Sequence, residues 1–468
     1  MKSAAVPGSC MLSASIGLLT GVAERTMRKQ RCHPMRCNVQ KLCGGCSLLS
    51  VPSVKQAKLK QEQVTDIMKN ANLSVKVEPV IMAQSAIGYR NKVIVGFAKD
   101  KDKKIYSGLY APKSHRVINT SGCAMHPQLL NEIIDFITKT VSGMKYELYN
   151  EHTGTGILRH VLLRWAKETG EVMVVLVTSS KQLPGRRNFV NALVKEFPQV
   201  KTVIQNINPR DTSVVLQDES IVLYGNGMIT DELCGLKISF TASAFYQIHH
   251  DQCEKLYGLA KQLLDLQPAD KVLDTYCGVG TIGLTLADAC SEVTGVEINK
   301  DAVKNAIYNA RQNGIRNARF VAMDSTQFML EARKFHSSFD AIVLDPPRAG
   351  TTEAFIEAAC GLKPKKILYI SCDPRTQARD LVKFKRFGYL TDTIYPVDMF
   401  PNTDHIETVC LLTYRGIKKG KYPSKKSAVA GRPARPVKGH GRPGGFSGMK
   451  PGRRPGKGGT PKLDREED

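Results

Sequence analysis

Apolar residues along this chain fall into two rhythms. Over residues 75–235, short strand-like runs (92–97, 172–177 and 203–206) mix with an amphipathic helical pattern at 127–141. Turn signals stand at Asn208-Pro209 and Gly225-Asn226-Gly227. Over residues 236–415, strands and helices alternate. Lys271-Val272-Leu273-Asp274 is an apolar run ending in a carboxylate, followed by the turn Cys277-Gly278-Val279-Gly280 and a helical stretch over 281–289. Further runs at 293–296, 320–322, 341–344 and 367–370 lead to Glu297, Asp324, Asp345 and, after Ser371, Cys372. Between them, Ala302, Val303, Ala306, Ile307 and Ala310 make a helical stripe stopped by Gly314. This alternation predicts an α/β, doubly wound parallel sheet. Such sheets bind ligands at the carboxyl ends of their strands. Asp274, Glu297, Asp324, Asp345 and Cys372 gather at that rim, which core packing does not explain.

The 468 residues suit two to four domains. Five blocks are expected: an unpatterned leader (1–31), a cysteine cluster with a Lys- and Gln-rich helix at 54–68 (32–72), a central α+β block (73–235), the alternating block (236–415) and a basic tail (416–468). No run of 18 uncharged apolar residues suggests a membrane span. The net charge of +24 favours a polyanionic partner. The tail holds +11 of it, with Gly and Pro at 19 of its 53 positions, a composition that predicts disorder. The remaining +13 makes the body basic as well, which favours a nucleic acid. Of the thirteen cysteines, Cys234, Cys253, Cys290, Cys360 and Cys410 stand singly in apolar surroundings, as packing residues do in a reducing, cytoplasmic compartment. The leader is broken by Pro7, Gly8 and several serines, and Met27 or Met35 are alternative starts.

Gly278-x-Gly280-x-x-Gly283, with Glu297 seventeen residues after Gly280, matches the dinucleotide fingerprint. Glycines let the backbone turn tightly against a ligand, and a carboxylate after the second strand accepts two ribose hydroxyls. NAD and S-adenosylmethionine both need this. Asp274 beside a cationic amino-acid end and Asp324 beside an adenine amino group favour S-adenosylmethionine.

Asp345-Pro346-Pro347-Arg348-Ala349-Gly350, Ser371-Cys372-Asp373-Pro374 and Phe400-Pro401-Asn402-Thr403-Asp404-His405-Ile406-Glu407 resemble the RNA uracil-C5 methyltransferases, and within them the 23S ribosomal RNA branch. The likeness runs over residues 37–414. It implies a Rossmann-type methyltransferase domain at 236–415, a central RNA-binding domain and a flipped-out target uridine. The residues suit that chemistry independently. Uracil C5 is a poor nucleophile until a thiolate adds to C6. By resemblance Cys372 is that thiolate and Glu407 is the base that removes the C5 proton. The likeness puts cofactor contacts on Gln247, Tyr276, Thr281, Glu297 and Asp324, with Asp345 facing cofactor and base. Thr281 stands where the family carries asparagine, and Gln247 is alternatively a contact to the flipped uracil. Tyr89-Arg90-Asn91-Lys92 and Leu158-Arg159-His160 resemble central-domain motifs that touch RNA or support the cysteine cluster.

Cys37-x5-Cys43-x2-Cys46 with Cys123 as a distant fourth suits zinc or a [4Fe-4S] cluster, and Cys32 competes as a ligand. The resemblance points to [4Fe-4S]. The transfer-RNA branch generally lacks these cysteines, so they favour rRNA processing. The ribosomal branch commonly opens with a small RNA-binding β-barrel, and no such pattern precedes Cys37. The expected partner is therefore 23S ribosomal RNA, bound by a monomer and with no membrane. The rivals are a transfer-RNA methyltransferase, a non-catalytic RNA-binding ribosome assembly factor and an NAD oxidoreductase.

Overall fold

The computed structural model describes residues 36–416 apart from Lys145, His152, Asp211 and Ser213. The expected leader, Cys32 and the tail beyond Gly416 lie outside the described residues. The chain begins with helices α1 (Gln40–Cys43) and α2 (Ser53–Asn70) and strand β1 (Lys76–Val77). The central sheet follows: β2 (Lys92–Lys99), β3 (Ile105–Tyr110), β4 (Val117–Asn119), helix α3 (Gln128–Gly143), β5 (Leu158–Trp165), β6 (Val172–Thr178), helix α4 (Arg186–Glu196), β7 (Val200–Ile207) and β8 (Ser220–Tyr224). Its order is β4-β3-β2-β5-β6-β7-β8. β6 and β7 are parallel because α4 crosses between them, and the other pairs are antiparallel. All of β6 is buried. α3 seals the sheet with the apolar stripe Leu130, Ile133, Ile134, Ile137 and Val141.

A hairpin of β9 (Ile229–Leu233) and β10 (Leu236–Phe240) leads to helix α5 (His250–Leu264). The alternating block then runs β11 (Lys271–Thr275), α6 (Thr281–Leu286), β12 (Glu292–Glu297), α7 (Lys300–Gln312), β13 (Ala318–Ala322), α8 (Ser325–Lys334), β14 (Ala341–Leu344), α9 (Glu353–Gly361), β15 (Lys366–Ser371), α10 (Pro374–Arg386), β16 (Tyr389–Leu390), β17 (Thr393–Val397) and β18 (Glu407–Tyr414). The sheet order is β1-β17-β18-β15-β14-β11-β12-β13, with β16 beside β18. The strands β11 to β15 pair in parallel, as the alternation predicts. Buried on both faces, β14 and β15 read as continuous apolar runs. The helices start on side-chain caps: Asn299 for α7, Asp324 for α8, Thr352 for α9, and Asp373 with Pro374 for α10.

The structure departs from the expectation in four places. The sheet is not wholly parallel, because β18 runs antiparallel to both β15 and β17. The helix expected to 289 stops at Leu286 and tightens into a 3₁₀ turn, where Asn317 Nδ2 takes the carbonyls of Ala287 and Cys290. The boundary expected at 72/73 does not isolate residues 53–77 from the catalytic sheet. β1 pairs with β17 through Lys76–Thr393 and Val77–Ile394, and Val64 and Met68 of α2 share a core with Leu381 and Phe384 of α10. The boundary expected at 235/236 falls in the β9–β10 turn, where Cys234 and Gly235 both take positive φ. One core joins the two sheets, packing Leu162, Met173 and Val175 of the central sheet with Phe240, Leu256 and Val343. No helix among the described residues is long and apolar enough to cross a membrane.

Candidate active site

The carboxyl ends of β11, β12 and β14 build a ligand cradle. Asp274 is fully buried near the end of β11. Its Oδ2 accepts from the N–H of Gly283 at 2.9 Å, while its Oδ1 has no partner among the described residues. Burial pushes this carboxyl up to about 8, against the Gly283 bond, and the charges of Asp345 and Glu297 push the same way. A buried, half-satisfied carboxylate calls for a cation, and the ammonium of an amino-acid end supplies one. At Gly280, φ is +86°, and a Cβ would lie 3.0 Å from the Phe320 ring and 3.1 Å from Ala306 Cβ, so glycine alone fits the turn. Gly278 also takes positive φ, and a Cβ there would meet nothing within 4 Å, which leaves room for a ligand to approach.

The remaining expected cofactor residues surround this turn. Glu297 ends β12, with Oε2 accepting from Gly278 N–H at 3.2 Å and Oε1 from Asn299 N–H at 2.8 Å. Those bonds orient the carboxylate. Tyr276, at φ +63°, stacks on Phe355 with ring centroids 5.4 Å apart. Thr281 opens α6, and its hydroxyl is 3.0 Å from the Tyr257 hydroxyl. Asp324 is exposed, and its Oδ1 accepts from the N–H of Gln327, so one oxygen caps α8. Gln247 is buried, and its backbone carbonyl is held by Asn91 Nδ2 at 2.8 Å. The unpaired Asp274 oxygen, the open glycine turn and the fixed Glu297 carboxylate together fit S-adenosylmethionine.

The second cluster lies where β15 ends and β18 begins. Their antiparallel register ends at Ser371 paired with Thr408, the chain neighbours of Cys372 and Glu407, and the charge of Glu407 acts on the Cys372 thiol. Glu407 is only 2% exposed, whereas Cys372 is half-buried. A small cleft of about 120 Å³ is lined by Cys372 with Gln63, Arg348, Arg375, Asp404 and His405 among others. Burial pushes the Cys372 thiol up to about 12; the charges of Glu407 and Asp345 add to this and Arg348 opposes it. Burial, then the charge of Asp345, holds Glu407 well above the usual carboxylate range, again against Arg348. Burial pushes Asp345, which directly follows β14, up to about 7. Three acidic groups thus compete for one low-dielectric corner, so incoming positive charge lowers all three.

The cysteines form a third cluster. The Cys46 thiol feels Cys123, Cys43 and Cys37, and burial outweighs Arg90 to push it up to about 11. The backbone N–H groups of Met125 and His126 point at Cys123 and favour its thiolate, although burial raises it overall. Cys46 and Cys123 pack against Leu49, Tyr89 and Met125. Gly44, at φ +70°, turns the chain between Cys43 and Cys46, and a Cβ there would strike Pro112 Cγ at 2.6 Å. Tetrahedral zinc holds thiolates about 3.8 Å apart. Among the described residues no three of these sulfurs lie within 4.8 Å of one another. A thiol-only donor set of this kind suits zinc or a multinuclear iron–sulfur group.

Among the basic motifs of the central block, the RNA reading is corrected for Asn91, Arg159 and His160. Arg159 and His160 are buried rather than turned to RNA. Arg159 donates to the carbonyl of Asn208 at 3.0 Å, and His160 Nε2 lies 3.1 Å from the Tyr110 hydroxyl. Asn91 is buried against Gln247, as described above. Arg90 does act on the cysteine cluster, favouring the thiolates of Cys46 and Cys123. Sequence reasoning assigned no role to Arg348, the cation beside both Cys372 and Glu407. Its position within Asp345-Pro346-Pro347-Arg348 was the available signal. It also missed Glu168, His250 and Asp251, whose ligand atoms converge within 4.8 Å. Lys167 pairs with both carboxylates.

The sequence model of the tRNA (uracil-5-)-methyltransferase family matches residues 173–415. The chain is 38% identical over 384 residues to an uncharacterised RNA methyltransferase of Clostridium tetani, covering 82% of this chain and 83% of that one. It is 36% identical to a second, from Halalkalibacterium halodurans, covering 80% and 82%. Among solved structures it is similar to the tRNA (uracil-54, C5)-methyltransferase of Pyrococcus abyssi in complex with S-adenosyl-L-homocysteine. That likeness has a TM-score of 0.67 and 27% identity and covers 81% of this chain and 86% of that one.

Proposed function

The chain belongs to the RNA uracil-C5 methyltransferase family, and from that premise we propose that it methylates C5 of a uridine in 23S ribosomal RNA through a covalent adduct with Cys372. It is an S-adenosylmethionine-dependent RNA methyltransferase. The observation that supports the covalent reading is the β15–β18 pairing, which ends at Ser371 and Thr408, the neighbours of the Cys372 thiol and the buried Glu407 carboxyl. Cys372, once ionised to the thiolate, bonds through Sγ to C6 of the uracil, and the displaced electron pair makes an enolate that activates C5. The cofactor, when bound, supplies a methyl group on a sulfonium. Glu407 then removes the C5 hydrogen as a proton. The freed pair rebuilds the C5–C6 double bond and expels the Cys372 thiolate. Arg348 favours the charged forms of Cys372 and Glu407. Asp274, Tyr276, Gly278, Gly280, Thr281, Glu297, Asp324, Asp345 and Gln247 hold the cofactor and the flipped base.

Cys37, Cys43, Cys46 and Cys123 hold a [4Fe-4S] cluster, and these cysteines support the ribosomal substrate by the resemblance given above. A transfer-RNA substrate is the second reading, favoured by the Pyrococcus abyssi enzyme's activity. Mapping methylated uridines after incubation with unmodified 23S RNA and with unmodified transfer RNA separates them. Methylation confined to transfer RNA overturns the ribosomal assignment.

Two outcomes follow. Purified without oxygen, the protein is expected to be brown, with about four iron and four sulfide per chain. A colourless protein with a single zinc overturns the cluster. Deleting residues 416–468 is expected to weaken RNA binding and flatten its salt dependence without moving the methylated uridine. The segment's +11 charge comes with only Tyr422 and Phe446 as aromatic residues, so its contacts go to phosphates rather than bases. If about six charges engage, the log–log salt slope falls by about 4–5. An unchanged slope, or a new methylation site, refutes this role.

A further inference from the structure

The segment that follows Cys46 grips the loop that leads into Glu407. Gln56, on α2, is 2% exposed. Its Nε2 donates to the carbonyls of Leu48 (3.1 Å) and Val51 (2.8 Å) and to Asn402 Oδ1 (3.1 Å). Its Oε1 accepts from the backbone N–H of Asn402 at 2.9 Å. Asn402 Nδ2 donates to the carbonyl of Ala86 at 2.7 Å, and the Asn402 carbonyl accepts from Leu48 N–H at 2.9 Å. The buried Gln56 amide therefore brackets Asn402, donating to its side-chain carbonyl and accepting from its backbone N–H, and few other side chains offer both donors and acceptors at that geometry. Asn402 sits at φ +68°, a conformation asparagine tolerates better than most residues.

The neighbouring loop residues are tied to the same side. The buried Lys60 Nζ bonds Asp398 Oδ1 at 2.7 Å and the Phe400 carbonyl at 3.0 Å. The Tyr89 hydroxyl donates to the Pro401 carbonyl at 3.0 Å, and Ser47 Oγ lies 3.1 Å from Asp404 Oδ1. Beyond these ties the loop gives Asp404, His405 and Ile406 to the Cys372 cleft and enters β18 at Glu407. None of these ties reaches Cys372 or Glu407 directly.

We propose that Gln56 and Asn402 form a latch of positioning residues that holds the 398–406 loop, and with it the cleft wall and Glu407, in register with Cys372. The proposal rests on the methyl-transfer reading above. It makes the cysteine-bearing segment part of the catalytic unit rather than a separate RNA-binding module. Misplacing a catalytic group by about 1 Å can slow turnover on the order of 100-fold.

Asn402→Gly separates the amide from the backbone, because glycine keeps positive φ without strain. In the full chain, Asn402→Gly and Gln56→Ala are each expected to lower the single-turnover rate about 10- to 100-fold at saturating RNA and cofactor. Affinity for S-adenosylhomocysteine, read by calorimetry, and the KM for unmodified RNA are expected to stay within about twofold. That constancy also reports a folded catalytic sheet. The double variant is expected to be no slower than the slower single, because one broken latch cannot be broken again. Asn402→Asp, which keeps Oδ1 and loses the donor, provides an intermediate should either variant fold poorly. An Asn402→Gly protein with the wild-type rate overturns the latch, as do rate losses that multiply in the double variant or a loss confined to KM. A wild-type protein that methylates no uridine in the same assay refutes the methyl-transfer reading instead.

Discussion

Cys372→Ala is expected to abolish methyl transfer, with a loss on the order of 10³-fold or more, while S-adenosylhomocysteine binds with unchanged affinity. Without a nucleophile at C6, uracil C5 stays unactivated, and no neighbouring group substitutes for the thiol. The cofactor cradle is built from other strand ends, around Asp274, Gly280 and Glu297, so its affinity does not depend on the sulfur. Calorimetry with S-adenosylhomocysteine and single-turnover methylation separate the two. Residual turnover above about a few per cent removes Cys372 as the nucleophile. The thiol's environment adds a pH signature. Burial, helped by Glu407 and Asp345, pushes Cys372 up to about 12, so the free protein carries a thiol at neutral pH. The thiolate fraction therefore rises about tenfold per pH unit below that value. Alkylation of Cys372 in the free protein is expected to climb steadily between about pH 6 and 9 with no plateau. A plateau near neutrality would show that the thiolate is already formed.

Much of the rim was legible because parallel strands buried on both faces leave a strong signal. Val272-Leu273, Ala341 to Leu344 and Ile367 to Ile370 are continuous apolar runs, and each ends in a polar residue at the ligand side. Asp274, Glu297, Asp345 and Cys372 were therefore placed by periodicity alone. β18 was different. Its contribution is Glu407, and only the antiparallel pairing of Ser371 with Thr408, 37 residues along the chain, brings that carboxyl near Cys372. Local pattern carries no register over that distance, so Glu407 entered through its motif. The boundary expected at 72/73, which cuts α2 from β1, missed their shared place on the catalytic sheet for a similar reason. A two-residue strand, Lys76-Val77, gives no periodicity, and its partner Thr393-Ile394 lies more than 300 residues away. Arg159 and His160 show the opposite error. Their motif resembles segments that touch RNA or support the cysteine cluster, yet both are buried, where carbonyls of the 208–210 turn accept from Arg159 Nη1 and the Tyr110 hydroxyl lies against His160 Nε2.

Glu407→Gln is expected to stop the reaction two steps later than Cys372→Ala, after addition and methyl transfer, and to trap a covalent protein–RNA adduct that already carries the methyl group. Glutamine keeps the shape of glutamate but cannot take a proton from C5, so the electron pair needed to expel the thiolate is never released. The earlier steps are spared, and the electrostatics favour them. The charge of Glu407 is, after burial, the largest influence raising the Cys372 thiol, so removing it makes the thiolate easier to form. Addition to C6 is therefore expected to be no slower in the variant than in the wild type. With cofactor labelled in its methyl group and a stoichiometric amount of RNA, a denaturing gel is expected to show a slower protein band. That band should hold label and RNA in a ratio of about one to one, with turnover lost by at least 100-fold, the scale of a general base. A variant that turns over normally does not lack its base, and proton removal then belongs to another group. A variant that is inactive and forms no labelled adduct places Glu407 before methyl transfer, as an activator of Cys372. Because Cys372→Ala yields no adduct under any condition, the pair of variants reads the two halves of the cycle separately.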